Sequence, residues 1–525
     1  MPKVLIADKM SPLAAEVFRR RGLEVEEKTG LEAAALQRII ADYDGLAVRS
    51  ATKVSAELLA AAERLKVVGR AGIGVDNIDV AAATARGVCV MNTPFGNAIT
   101  TAEHAIAMML ALARQIAAAD RSTQSGRWEK NAFMGVELYG KTLGIIGCGN
   151  IGSIVADRAL GLKMRVIAYD PYLSEERAGD LGVEKVELAE LYARADVISL
   201  HAPLTEATRG MIDAEAIAQM RSGVRIVNCA RGDLVLEADL RAGLDSGRIA
   251  GLAVDVFAHE PAHENVLFGH PNVVATPHLG AATNEAQENV ALQVAEQMSD
   301  FLIEGAITNA INMPSVTAEE APRLKPYLAL ARQLGSFAGQ LTETAITAAH
   351  VEYEGHVATL NTRPLTAVLL EGLLSPLLDN VNMVNAPLIA KERDIDVKET
   401  RDERAGDYQT LIRLTVTTER QSRSLSGTLF ADSRPRVVDI KGINLEAELA
   451  PHMLYLTNED KPGFIGALGT TLGEAGVNIA TFHLGRAAPG GDAIALVAVD
   501  QPIPADVLAR VRALPHVVQA KPLAF

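Results

Sequence analysis

The sequence predicts an α/β protein. Two parallel-sheet units come first, an α+β unit follows, and a small β-α-β-β-α-β unit of ferredoxin-like type closes the chain. Three observations carry this reading. Short apolar runs alternate with amphipathic stretches up to about residue 280, as strands covered on both faces by helices require. The run Gly147-Cys148-Gly149-Asn150-Ile151-Gly152, a GxGxxG, stands between an apolar run and a helical pattern. Residues 452–525 order their runs as two strand–helix–strand halves. The 525 residues suit three or four domains at roughly 150 residues each.

Taken in order, Val4–Ala7 reads as a strand, Pro12–Arg21 as a helix and Leu46–Val48 as a strand. Ala56–Ala62 reads as a helix and Val67–Gly69 as a strand. The alanine-rich stretch His104 to Ala119 reads as one buried helix, too short and too polar at Arg114 and Gln115 to span a bilayer. Strands follow at Leu143–Ile146, Arg165–Tyr169, Val197–Leu200, Arg225–Asn228, Leu252–Val256 and Val273–Ala275. Asn284–Phe301 reads as a long helix ended near Gly305, and Pro314, Pro322 and Pro326 punctuate a linker. In the region 315–450 the pattern gives a helix at Pro364–Leu378 and β-rich runs at Gln409–Thr418 and Ser424–Phe430. The last unit has strands at Leu454–Thr457, Asn478–Leu484, Ala493–Val499 and Val517–Lys521, with helices at Phe464–Ala475 and Ala505–Leu514.

Composition narrows the function. Hydrophobic residues at 49% and charged residues at 22% exclude a wholly disordered chain. The formal charge of −15, from 50 Lys+Arg against 65 Asp+Glu, argues against bulk nucleic-acid binding. Any anionic substrate then needs positive charge gathered locally. Cys89, Cys148 and Cys229 are odd in number and form no CxxC pair, which argues against a disulfide framework or a metal site and fits a reducing compartment. The N-terminus MPKVLIADKM has no signal-peptide pattern, so the expectation is a soluble cytoplasmic protein with neither a membrane nor a nucleic-acid partner.

The GxGxxG run has the context that gives the motif meaning. Gly147 permits the tight turn, Gly149 lets a pyrophosphate approach the backbone, and Gly152 lets the helix pack on its strand. Free N–H groups at the helix start hold phosphates. Asp170, ending the next strand about 20 residues on, accepts from ribose hydroxyls and repels a 2′-phosphate. The unit is of Rossmann type, and NAD is the expected cofactor.

Three residues then follow successive strands: Arg231 in NCARG, Glu260 in DVFAHEP and His278 in TPHLG. In open α/β sheets ligands sit outside the carboxyl ends of strands, so all three converge on the edge where a nicotinamide lies. An imidazole can take or give the hydroxyl proton during hydride transfer. A carboxylate on its other nitrogen fixes the tautomer, and an arginine grips a substrate carboxylate bidentately. Arg49 and Arg70 end two adjacent strands beside glycine-rich turns. They face the same cleft as anion ligands, or else merely pair with acidic neighbours; the residues alone leave this open.

GCGNIG…YDP, NCARG, DVFAHEP and PHLG together resemble the D-isomer-specific 2-hydroxyacid dehydrogenase family over about residues 1–311. The resemblance implies a flavodoxin-like substrate domain of residues 1–97 and 285–311, with the NAD domain of residues 98–284 inserted in it. It implies Arg231, Glu260 and His278 as the catalytic trio. Asn150 and Ile151 would lie at the pyrophosphate, and Asp255, Gly280, His278 and the Cys229–Ala230–Arg231 backbone by the nicotinamide. The loops at Arg49 and Arg70, the WEKNAFMG stretch and the long C-terminal extension resemble the long-form phosphoglycerate dehydrogenase branch of that family. That branch implies 3-phosphoglycerate as substrate. Arg49, Ser50, Arg70, Gly72, Gly74, Arg231 and His278, with Lys130 from a neighbouring subunit, would bind it. It also implies an α+β intervening domain at 315–450, an ACT domain at 452–525 and a homotetramer. An L-serine effector would be held by Asn458, Asp460 and a second subunit's Asn478. A reductase of another 2-oxoacid (hydroxypyruvate, glyoxylate, 2-oxoglutarate) and an NAD-sensing corepressor stay open at this point.

Overall fold

The computed structural model describes residues 1–316, 319–431 and 433–525. Its first sheet has five parallel strands: β1 Lys3–Ile6, β2 Glu24–Glu27, β3 Gly45–Val48, β4 Val67–Arg70 and β5 Cys89–Met91. Their order, β2-β1-β3-β4-β5, is the flavodoxin-like one. All four residues of β3 are buried, as an inner strand covered on both faces demands. The edge strand β2, sequence EVEE, was invisible to an apolar-run reading because its charges protect an open sheet edge.

The second sheet has seven parallel strands: β6 Thr142–Ile146, β7 Arg165–Tyr169, β8 Glu184–Lys185, β9 Val197–Leu200, β10 Val224–Asn228, β11 Ile249–Val254 and β12 Val273–Ala275. The order is β12-β11-β10-β9-β6-β7-β8. The sheet grows one way from β6 through β7 and the other way from β9, so the crevice between β6 and β9 opens at their carboxyl ends. The helix Asn284–Glu304, closed by Gly305 in the left-handed region, returns to the first sheet. A Cβ at Gly69 would stand 2.2 Å from Met298 Sδ and 2.6 Å from Val294 Cγ2, so this helix lies directly on β4.

Two helical readings need correction. His104 to Ala119 is not one helix: Ala98–Arg114 ends at Gln115, left-handed at φ 53°, and Ile116–Gln124 starts anew. The break lets Gln115 Nε2 donate to Met134 O at 3.2 Å and sends the second helix to the surface, where Ile116 is exposed. Nor do Pro322 and Pro326 lie in a linker; both belong to the helix Ala321–Leu341. Pro322 sits in the first turn, where its missing N–H would have no partner anyway. Pro326 is tolerated because Leu324, Tyr327, Leu330, Ala331, Leu334, Phe337, Ala338 and Leu341 bury one continuous face.

That helix crosses Arg363–Leu374 so closely that a Cβ at Gly335 would meet Leu369 O at 2.1 Å. It packs on a third sheet of β13 Ile346–Gly355, β14 Asp396–Asp402, β15 Thr410–Thr418, β16 Ser422–Phe430, β17 Arg434–Ile440 and β18 Ile443–Ala447. The order is β14-β13-β15-β16-β17-β18, antiparallel except for β13 with β14. The last sheet, β19 His452–Glu459, β20 Ile479–Arg486, β21 Asp492–Val499 and β22 Val517–Ala524, has the ferredoxin-like order β20-β21-β19-β22. Helices Phe464–Glu474 and Ala505–Arg512 cover it. Phe337 joins the third unit to the last, edge-on to Tyr455 at 5.9 Å and to Phe525 at 6.0 Å. Asn382 Nδ2 donates to Gly87 O at 2.9 Å and ties the third unit to the first. Among the described residues no helix is long and apolar enough to cross a membrane.

Candidate active site

The β6 turn is built for close approach. Gly147 has φ +91°, and a Cβ there would stand 2.6 Å from Ala202 N, so β6 and β9 can meet only over glycine. A Cβ at Gly152 would lie 2.1 Å from Gly147 O, which seats the helix Asn150–Gly161 on the turn. At Gly149 a Cβ would meet nothing within 4 Å, so the space before that helix is open. Asn150 and Ile151 begin the helix, where backbone N–H groups lack helical partners. Asp170, just past β7, accepts from the N–H of Cys148 and of Tyr172, each at 2.8 Å. An open helix start, a turn that admits only glycine and a fixed carboxylate fit an NAD dinucleotide.

At the carboxyl ends of β10, β11 and β12 the three sequence-predicted residues come to one edge. Asn228, fully buried, accepts from Ala230 N at 3.1 Å and donates to Arg231 O at 2.9 Å, shaping the turn that presents Arg231. Gly232 packs so tightly on the next loop that a Cβ would be 2.0 Å from Phe257 C. That loop carries Glu260, whose Oε1 accepts from Phe257 N at 2.9 Å and whose Oε2 lies 2.6 Å from His278 Nδ1. Burial opposes the Glu260 charge, but the hydrogen bonds from His278 and Phe257 outweigh it and hold the carboxyl below its usual range. His278 is half exposed and has φ 55°, a strained conformation for a non-glycine residue.

Asp255 holds that strained loop in place. Its carboxylate is fully buried and accepts from Thr276 Oγ1 at 2.6 Å, Leu279 N at 2.7 Å and Gly280 N at 2.8 Å. His104 Nε2 stands 3.2 Å from Asp255 Oδ1. Burial works against the Asp255 charge; the hydrogen bonds from His104, Thr276 and Leu279 overcome it and lower its pKa. The carboxylate expected beside a nicotinamide is thus turned into its own loop. The free thiols Cys89, Cys148 and Cys229 are buried, and burial raises the pKa of each, that of Cys148 to about 11.

Across the cleft stand the other two arginines. Arg70 Nε donates to Asn77 Oδ1 at 2.9 Å, while Asn77 Nδ2 donates to Arg49 O and Thr52 O, each at 2.7 Å. Arg49 Nη1 donates to Lys9 O at 3.2 Å, and its N–H to Asp8 Oδ2 at 2.6 Å. Among the described residues neither guanidinium lies within ion-pair distance of a carboxylate, and Asp8 and Asp76 act on them only through space. Burial, then the like charges of Arg231 and Arg49, lower the Arg70 pKa to about 10 despite Asp76. Gly72 lies under Arg70 and Gly74 under Arg231: Cβ atoms there would come within 2.5 Å of Arg70 Nη1 and 1.6 Å of Arg231 Nη2. Ser50 is exposed in the loop after β3, and Lys130 is exposed on the turn Lys130–Ala132.

In the last unit, Asn458 is buried; its Nδ2 donates to Glu459 O at 2.8 Å, and its Oδ1 has no hydrogen-bond partner among the described residues. Asp460 accepts from Arg486 Nη1 at 2.8 Å and Gly490 N at 3.0 Å, and these bonds lower its pKa. Asn478 donates to Asp500 at 2.7 Å.

Sequence reading had not singled out Asp76, Asn77, Asn228 or His104 as site residues. The signal for the first two lies in the glycine-rich run Gly72-Ile73-Gly74-Val75-Asp76-Asn77 after β4, and for His104 in a lone imidazole in an apolar helix.

A dinucleotide crevice facing an arginine-lined lobe, with a carboxylate–imidazole pair at the seam, defines an NAD-dependent hydroxyacid dehydrogenase. Comparison with known proteins agrees. Residues 106–280 match the model of the D-isomer specific 2-hydroxyacid dehydrogenase NAD binding domain. Residues 323–441 match the D-3-phosphoglycerate dehydrogenase intervening domain, and 452–516 the ACT domain. The D-3-phosphoglycerate dehydrogenase of Archaeoglobus fulgidus is 42% identical over 522 residues, 99% of both chains. That of Synechocystis sp. is 42% identical over 513 residues, 97% of this chain and 92% of its own. Among solved structures, D-lactate dehydrogenase from Aquifex aeolicus, complexed with NAD and lactic acid, is 27% identical with a TM-score of 0.53, over 60% of this chain and 100% of that one. The chain belongs to the D-3-phosphoglycerate dehydrogenase family.

Proposed function

We propose that the chain oxidises 3-phospho-D-glycerate to 3-phosphohydroxypyruvate with NAD, the first step of phosphorylated L-serine synthesis. The observation that carries this reading is the 2.6 Å His278–Glu260 pair set on the same cleft as Arg49 and Arg70, whose guanidinium groups form no ion pair among the described residues. When bound, NAD supplies the hydride acceptor. His278 takes the hydroxyl proton on Nε2 in the forward direction and returns it to the carbonyl oxygen in reverse. Glu260 holds Nδ1, fixes the tautomer and stabilises the imidazolium that forms. Arg231 grips the substrate carboxylate and polarises the adjacent C–O bond. Arg49 and Arg70, with Ser50, the Gly72–Gly74 turn and a second subunit's Lys130, take the phosphate. Gly147, Gly149, Asn150, Ile151 and Gly152 hold the pyrophosphate and Asp170 the ribose. The Cys229–Ala230 backbone, with Asp255 and Gly280 behind the His278 loop, shapes the nicotinamide side.

In this reading residues 1–97 with 285–311 form the substrate lobe and 98–284 the NAD lobe. Residues 315–450 are the intervening domain and 452–525 the ACT domain. The enzyme works in the cytoplasm as a homotetramer, and L-serine bound at Asn458 and Asp460 of one subunit and Asn478 of another slows it. The orphaned Asn458 Oδ1 supports that site. For an ammonium group, Asp460 must exchange its bond with Arg486.

NADH oxidation with 3-phosphohydroxypyruvate, with and without L-serine, tests the reading. Turnover is expected, with the rate falling as serine rises. His278→Ala should abolish it while NADH fluorescence still reports binding. An inactive wild type would overturn the reading, and indifference to millimolar serine would overturn its regulatory part.

A further inference from the structure

We propose that Asp76 is the positioning residue for Arg231: it reaches across the substrate cleft and fixes the guanidinium that receives the substrate carboxylate. This rests on the role assigned to Arg231 above.

The geometry is specific. Arg231 Nε donates to Asp76 Oδ2 at 2.8 Å and Nη1 donates to Ala230 O at 2.7 Å. A guanidinium has five N–H groups, so these two bonds leave three on Nη1 and Nη2 for a ligand. Nη2 lies over Gly74, where no side chain can intrude. An arginine held by one backbone carbonyl alone would keep most of its rotamers. With a second bond from the opposite lobe its plane is set.

The pair also has a distinctive place. Among the described residues it is the one ion pair joining residues 98–284 to residues 1–97 and 285–311. Asp76 sits two residues past Gly74 and next to Asn77, which orders Arg70 and the Arg49 loop. One short turn therefore sets the carboxylate-binding arginine from one side and the phosphate-binding arginines from the other. The distance between those two groups of arginines is the dimension that separates a phosphorylated hydroxyacid from a shorter one. Asp76 is 54% exposed, and among the described residues its side chain has no other hydrogen bond or ion pair, so stabilising the fold is a poor account of it.

Asp76→Asn and Asp76→Glu in the full-length chain test this, with 3-phosphohydroxypyruvate and hydroxypyruvate as paired substrates. The second shares the carboxylate and keto group but has no phosphate. Asp76→Asn should lower kcat/KM about tenfold or more for both substrates by the same factor. NADH affinity and Tm should stay at wild-type values, and Asp76→Glu should recover part of the loss. A loss confined to the phosphorylated substrate would overturn the proposal in favour of action through Arg70. So would unchanged kinetics, and so would a gain, which would make Asp76 a competitor for the arginine. A joint fall in Tm and NADH binding would mark a structural residue and overturn it too. Wild-type inactivity on both substrates would instead count against the functional reading itself.

Discussion

Gly74→Ala separates function from folding at a single atom. The added Cβ would lie 1.6 Å from Arg231 Nη2 and 2.8 Å from both Arg231 Cζ and Asp76 Oδ2. Ordinary contact starts near 3.4 Å, so the guanidinium must retreat by about 3.4 − 1.6 = 1.8 Å. A misplacement of roughly 1 Å at a reacting group costs on the order of 10²-fold, so kcat/KM for 3-phosphohydroxypyruvate should fall at least that far. The fold should hardly respond. The neighbours that move are the far ends of flexible side chains, and Gly74 is not in the left-handed region. Losing an exposed ion pair costs about 0–1 kcal/mol, and replacing glycine at a compatible site returns roughly 0.4–1 kcal/mol. Tm should therefore stay within about 3 °C of wild type. Gly232→Ala is the contrast: its Cβ would meet Phe257 C at 2.0 Å, and backbone cannot step aside, so Tm should fall as well. Steady-state kinetics and thermal melts of both variants decide. A Gly74→Ala enzyme with kcat/KM within twofold of wild type would refute the placement of Arg231 at the substrate.

Arg49→Gln and Arg70→Gln should each lower kcat/KM for 3-phosphohydroxypyruvate by roughly 10- to 150-fold, the worth of a charge-assisted hydrogen bond, while changing hydroxypyruvate turnover by less than about threefold. Equal losses on both substrates would move the phosphate elsewhere. Asp255→Asn should destabilise the NAD lobe by about 3 kcal/mol, because an amide cannot accept from Thr276, Leu279 and Gly280 together. The folded pKa of Asp255 lies below its unfolded value, so its contribution is complete above the ordinary carboxylate range and is lost as pH falls through the folded value. The stability gap between wild type and variant should thus be constant near neutrality and narrow in denaturant melts below about pH 4. A gap undiminished in acid would show that packing, not charge, accounts for it.

What the sequence reveals and what it hides follow from the range of the forces. The inner strands of the first two sheets stand out because burial on both faces forces mainly apolar runs, as in β3. β14, sequence DVKETRD, carries no such run: it is an edge strand, mostly exposed, held by parallel pairing to β13. Pro322 and Pro326 mislead because a local rule, that proline breaks helices, yields to the tertiary gain of burying the face from Leu324 to Leu341. The break at Gln115 leaves no composition signal, since no glycine or proline marks it and the carbonyl that receives its side chain, Met134 O, lies 19 residues on.

The site divides along the same line. Residues that act where they stand, at the end of their own strand, are legible: the glycine turn announces the phosphates, and Arg231, Glu260 and His278 each follow an apolar run that fixes their place on the edge. Residues that act through a partner are not. Asp76 and Arg231 are 155 positions apart. The His278 loop is held from a helix far earlier in the chain, where His104 faces Asp255 and Thr101 donates to Gly280 O. The first contact exists only once both sheets are built, and the second only once the helix Ala98–Arg114 packs on the second sheet. The same holds for the contact between the third unit and the last. Phe337 touches the last sheet at Tyr455 from within a helix whose own neighbours continue, in one buried cluster, to β1 and β4 of the first. The last sheet and the sheet that carries Arg70 therefore share one packed interior.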